Sequence, residues 1–291
     1  MKMSRRIVVS AWIAVGLTVA FLCLSSPAWS HPGIDEQIQT ITARIEQEPD
    51  NGTLYLRRGE LHRIHSDWEK AEADYRTARK LDSQLLIADY CLGRLKLESG
   101  DAEAARTILD GYLSERPNDS DALATRARAL VALGQHLEAA RDFTGAIQNP
   151  KRDSPRPEYY LERARALQAA GPSHIEGALA GIDEGLQQLG DPVTLQLYAI
   201  DLELARKNYD GALGRLDRIA SESVRQEPWL VRKGSILEAA GRTAEAREAY
   251  AQTLASIDTL PTSRRNNRAV ERLETEAREA MRRLDAGGQP E

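Results

Sequence analysis

The chain has 291 residues, of which 29% are charged and 5% aromatic, with two cysteines and a formal net charge of −5. That composition excludes collagen-like, low-complexity and disulfide-stapled classes. The acidic balance argues against nucleic acid as a general partner, because phosphate binding needs a concentrated basic face.

Residues 1–30 read as a secretory signal peptide. Lys2, Arg5 and Arg6 give a basic start, Ile7 to Leu24 an apolar run, and Ala28-Trp29-Ser30 a small-x-small cleavage site that leaves His31 first. The competing reading is an uncleaved anchor, since the run is just long enough to span a bilayer. Either way the remainder is expected across the membrane from the positive end, periplasmic or secreted when cleaved and inner-membrane anchored facing the periplasm when not. Cleavage would leave 36 basic against 44 acidic residues, a net charge of −8, with Cys91 as the sole cysteine. Cys91 then reads as a small core residue, with an intermolecular disulfide as the other possibility.

Residues 31–51 predict an N-terminal capping helix, with Ile34, Ile38, Ile41 and Ile45 at helical spacing and Pro49-Asp50-Asn51 as its stop. A ladder of alanines follows. Ala71, Ala105, Ala139, Ala178, Ala212 and Ala246 are separated by 34, 34, 39, 34 and 34 residues. A larger residue stands four positions after each alanine, as in Ala71–Tyr75, Ala139–Phe143 and Ala246–Tyr250. Gly59, Gly93, Ala127, Ala164 and Gly234 hold the matching small position on the preceding helix, and Gly100, Gly134, Gly171 and Gly241 the turns between the two. The expectation is that small residues on both helices let the backbones approach, with the larger residue filling the groove beside them.

With Tyr55, Leu92-Gly93, Tyr160 and Pro117 in register, this pattern resembles the tetratricopeptide repeat. The resemblance implies an all-α, right-handed superhelical solenoid of about six helix-turn-helix repeats with N- and C-terminal capping helices. Repeats 1–3 fall in 52–153 and repeats 4–6 in 154–260. Five extra residues between the third and fourth alanine split between the loop 149–157 and the turn at Gly171-Pro172-Ser173-His174; they read as a tolerated insertion or as a hinge or basic docking loop. Tyr112 and Ile219 replace the small last residue of the helix pattern, and Ile200 replaces the small residue of the fifth first helix, which leaves that unit's packing the least regular. Residues 261–291 predict a polar cap, a helix from Ser263 to Ala286 burying Ala269, Leu273, Ala277 and Met281, and a disordered tail.

No glycine-rich phosphate loop, nucleophile elbow or zinc-type cysteine pair occurs, so no catalytic, cofactor or metal residue is predicted. His62 and His65 are three apart on a predicted helix but lack an evident third ligand, and His31 lacks a partner histidine. The resemblance implies instead that the first helices line a concave face. Their register gives Glu60, Arg94, Arg128, Arg165, Asp201 and Ser235 at the ninth position and Leu56, Tyr90, Ala124, Leu161, Leu197 and Val231 at the fifth. Arg63, Leu97, Val131 and Gln168 stand at the twelfth. Three stacked arginines, Arg94, Arg128 and Arg165, beside Tyr90, Glu60, Leu56, Leu161 and Leu197 suit a peptide or protein segment with acidic and apolar residues. The opposing expectation is that neighbouring carboxylates neutralise those arginines. The function expected is a non-catalytic interaction module or assembly scaffold, or else a membrane-anchored structural subunit.

Overall fold

The structure, a computed structural model, describes residues 33–150 and 155–287. Fifteen α-helices and no strands occur among them. Helix α1 spans Ile34–Gln47, and six pairs follow: α2 Gly52–Ile64 with α3 Trp68–Leu81, α4 Ile87–Glu98 with α5 Ala102–Glu115, and α6 Ser120–Ala132 with α7 His136–Gln148. Next come α8 Pro157–Ala169 with α9 Ile175–Leu189, α10 Val193–Ala205 with α11 Tyr209–Glu222, and α12 Glu227–Ala239 with α13 Thr243–Asp258. A short α14, Thr262–Arg265, precedes α15, Arg268–Asp285. Each helix packs on the next, so the pairs stack into one array. The expected signal peptide and residues 151–154 of the expected basic loop lie outside the described residues. No described helix is long and apolar enough to cross a membrane.

Local sequence explains the helix ends. The Asn51, Asp101, Asp119 and Asn267 side chains accept backbone N–H groups at the starts of α2, α5, α6 and α15. Between the helices of a pair the chain reverses through one left-handed residue. Gly134 does this at φ 75°, whereas Ser66 and Lys207 hold the same conformation at 64° and 59° despite their side chains. The two extra residues of the fourth unit form a 3-10 turn, Pro172–His174.

All six ladder alanines are completely buried, and the residues four positions on (Tyr75, Leu109, Phe143, Ile182, Leu216 and Tyr250) are at most 2% exposed. The small residues do approach, with a Cβ on Gly59 falling 3.3 Å from the Ala71 carbonyl oxygen, but the tightest contact is with the larger residue. A Cβ on Gly59, Gly93 or Gly234 would come within 2.7 Å of Tyr75, 2.7 Å of Leu109 or 2.6 Å of Tyr250. The glycine therefore makes room for the large residue itself, and the alanine packs beside that contact. Ile200 is fully buried, so the fifth unit absorbs the larger side chain at this position.

The C-terminal cap also departs from expectation. The helix breaks after Arg265 and restarts at Arg268, because Asn267 turns its side chain back to the Ala269 N–H at 2.8 Å. The buried face is Val270, Ala277 and Ala280, with Leu273, Met281 and Leu284 packed partly against α12 and α13. Ala269 lies beside this stripe and stays partly exposed.

Candidate functional site

The inner-face arginines do not share one fate. Arg94 on α4 donates to both carboxylate oxygens of Glu60 on α2, at 2.6 and 2.5 Å, and lies 5.5 Å from the Tyr90 ring centre. Glu60 also accepts the Tyr75 hydroxyl at 2.5 Å and lies 3.4 Å from Arg63, which in turn holds Glu98 at 2.7 Å. Burial pushes the Glu60 carboxyl upward, but the Tyr75 hydrogen bond and the Arg94 charge outweigh it and hold the group below its ordinary value. The same network acts in reverse on its neighbours. Burial and Glu60 raise the Tyr75 hydroxyl, and burial with the Glu60 charge pushes the Cys91 thiol up to about 12. Cys91 is thus a buried, neutral thiol and a poor nucleophile.

Arg128 on α6 is held in a fork by Glu162 on α8, at 3.0 to 3.2 Å. Arg165 on α8 is different. It is exposed, its guanidinium lies 5.7 Å from the Tyr198 ring centre, and no carboxylate of the described residues stands within ion-pair distance. Tyr198 donates its hydroxyl to Gln168 Oε1 at 2.6 Å, which fixes the ring beneath the cation. The three arginines therefore separate into two neutralised members and one without a carboxylate.

Sequence reasoning named Arg165 and Gln168 but missed Tyr198 and Glu162. A regular signal was available. From the third unit on, the ninth residue of one first helix meets the sixth residue of the next: Arg128 meets Glu162, Arg165 meets Tyr198, and Asp201 meets Arg232 at 2.5 Å. The apolar positions are less open than the register implied. Leu56, Leu161 and Leu197 are partly buried against three different core clusters, and Tyr90 packs on Tyr112 with ring centres 5.8 Å apart. Val131 is 39% exposed and is the more open apolar residue of this face.

Leu56 and Glu60 also line a groove of about 840 Å³ between α1, α2 and α4, with Ile41, Ile87 and Cys91. His62 and His65 both approach Asp67 at 3.6 Å, a carboxylate that the sequence reading did not assign to them. No group of three or more His, Cys, Asp or Glu among the described residues is arranged to hold a metal ion.

A sequence profile of the tetratricopeptide repeat-like domain matches residues 177–271, which run from α9 into α15. This is a tetratricopeptide-like array. The solved structure of YrrB, described as a TPR protein with an unusual peptide-binding site, superposes with a TM-score of 0.52 at 21% identity, over 63% of this chain and 92% of that one. A tetratricopeptide repeat protein from Parabacteroides merdae gives 0.52 at 17% identity, over 84% of this chain and 92% of that one. PilF of Pseudomonas aeruginosa gives 0.51 at 15% identity, over 78% and 98%. At these identities the likeness is one of fold. Cellulose synthase operon protein C of Pseudomonas fluorescens is 32% identical over 81 residues, 28% of this chain and only 6% of that protein.

Proposed function

We propose that this tetratricopeptide-like array is a non-catalytic protein-interaction module or assembly scaffold, exported by its N-terminal segment. Its inner face takes a peptide or protein segment carrying a carboxylate beside apolar residues. One observation carries this reading: Arg165 is held over Tyr198 without a carboxylate of the described chain to neutralise it. An arginine fork set on an aromatic ring suits a carboxylate, and Leu161 and Leu197 flank it with apolar surface. Arg94 and Arg128 then act as staples between units, not as ligand contacts.

The test is capture of partners from an envelope extract by wild type and Arg165→Ala. The reading expects partners that are lost with the variant. An unchanged partner set, with circular dichroism showing the fold intact, overturns it. The second reading, a subunit anchored by an uncleaved leader, is favoured only by the length of the apolar run from Ile7 to Leu24. N-terminal sequencing separates the two, since a start at His31 removes the anchor.

A further inference from the structure

The turn between paired helices carries charge in four of the six units: Asp67, Asp101, Lys207 and Arg242 stand in the first, second, fifth and sixth. The third and fourth units differ. No Lys, Arg, Asp or Glu falls in 129–137 or in 166–175, the stretches that carry the chain from α6 into α7 and from α8 into α9. One edge of the array is therefore uncharged over two neighbouring units. The loop 149–157 leaves from the opposite end of α7, a helix of 13 residues, about 20 Å away.

Two large apolar side chains are open on this edge. Val131 and Leu137 are each 39% exposed. Val131 is twelfth in its helix, a place where Leu97 and Leu204 are only partly exposed. The place of Leu137 is exposed in every unit, but Glu69, Glu103, Glu176 and Asp210 hold it in four others and Ala244 in the sixth. Two of those carboxylates bridge to the following unit, Glu176 to Arg206 at 3.7 Å and Asp210 to Arg242 at 2.9 Å. At the junction of the third and fourth units the same relation sets Leu137 against Ala170 and Pro172. An apolar set stands where the next two junctions have an ion pair.

Arg165 borders this edge. Arg128 and Glu162 pair as ninth and sixth residues of consecutive first helices. One turn further along the same two helices, that offset sets Val131, the twelfth residue, beside Arg165, the ninth. Ala132 and Ala169 are exposed and extend the uncharged surface from there toward the turns.

We propose that this edge seats the apolar side chains of the segment whose carboxylate Arg165 takes. The inference rests on the inner-face reading and names the second half of its ligand, two large apolar residues close in sequence to the acid. Charge decides the occupant. No carboxylate of the described residues offsets Arg165, and the surface beside it holds no charged group that an apolar side chain would have to desolvate. Leu161 and Leu197 are partly buried in the core clusters, so Val131 and Leu137 offer the more open apolar surface.

The probe is a panel of amidated ten-residue peptides, each with one glutamate and two leucines at varied spacing in a glycine-serine background. Binding to the full chain is read by fluorescence anisotropy. Peptides that bind saturably are expected, weakened about tenfold or more by the double variant Val131→Ser with Leu137→Ser, and as much by Arg165→Ala. Serine in place of the peptide leucines should abolish the effect of the double variant. Val193→Ser, which alters a more open valine away from this edge, should change nothing. Peptides that need Arg165 but ignore the double variant, with helix content intact, overturn this inference and leave the inner-face reading standing. Equal weakening by Val193→Ser overturns it as well. Binding indifferent to Arg165, or no binding by any peptide, overturns both readings.

Discussion

Arg165 lies 5.7 Å from the centre of the Tyr198 ring, while Arg128, one unit earlier, is forked onto Glu162 at 3.0 Å. The two arginines share a register position, and the sixth residue of the following first helix decides between them. Where that residue is glutamate the arginine is paired, and where it is tyrosine no carboxylate of the described residues offsets the arginine charge. Replacing Tyr198 by glutamate should therefore silence Arg165 without removing it. The expected result is loss of the partners that depend on Arg165 with helix content intact, and a melting temperature that falls, because the half-buried Tyr198 ring packs on the core and its bond to Gln168 is lost while an exposed ion pair returns only about 0–1 kcal/mol. Retained partners would break the link between this pair and binding.

Removal of Arg165 should matter little to folding. An exposed cation over an aromatic ring contributes about 0.5–1 kcal/mol, so Arg165→Ala should shift the urea midpoint only slightly. Arg58→Ala is the contrast. It strands the Asp74 carboxylate, which is 5% exposed and bound in a fork at 2.7 and 2.8 Å. Breaking such a pair by deleting one member should cost about 3–5 kcal/mol, read by the same urea titration.

Gly234→Ala tests the helix-crossing geometry. The new methyl would fall 2.6 Å from the Tyr250 ring, and the resulting overpacking should cost about 1–3 kcal/mol. The fourth unit tolerates Ala164 opposite its own Ile182. Adding Tyr250→Ile to Gly234→Ala should accordingly recover part of the loss, and a double-mutant cycle would show the coupling.

Lys207 holds φ at 59° where the third unit has Gly134 at 75°. A non-glycine residue in the left-handed region costs roughly 1–2 kcal/mol. Lys207→Gly should raise the urea midpoint, corresponding to about 1 kcal/mol after the added freedom of the unfolded chain is counted. A lower midpoint would mean that the Lys207 side chain makes a compensating contact.

The Glu60 network sets a pH dependence. The folded carboxyl is held below its ordinary value, so its stabilisation is fully present above the unfolded value of about 4.3 and is lost as pH falls through the lower folded value. Wild type should lose stability on acidification below about pH 5 more steeply than Glu60→Gln. Parallel curves of unfolding free energy against pH for the two proteins would contradict the assignment.

The sequence carried the array plainly because close packing repeats at a fixed period. Ala71 through Ala246 are completely buried in every unit, and a small residue is the solution at a site with no free volume. The inner face was harder to read. Aligning the ninth positions with one another compares equivalent residues, whereas in the later units the ninth residue faces the sixth of the next first helix, at separations of 34, 33 and 31 residues for Arg128–Glu162, Arg165–Tyr198 and Asp201–Arg232. Tyr198 and Glu162 were missed for that reason. The start of α15 was missed because one side chain, Asn267, restarts the helix within a stretch that reads as continuous.

The most direct test of the interaction account is selection of random twelve-residue peptides displayed on phage against the folded chain, with Arg165→Ala as the counter-screen. The account predicts enriched sequences that place a carboxylate beside apolar residues and lose enrichment on Arg165→Ala. Enriched peptides without a carboxylate, or equal enrichment on the two proteins with identical circular dichroism, would contradict it.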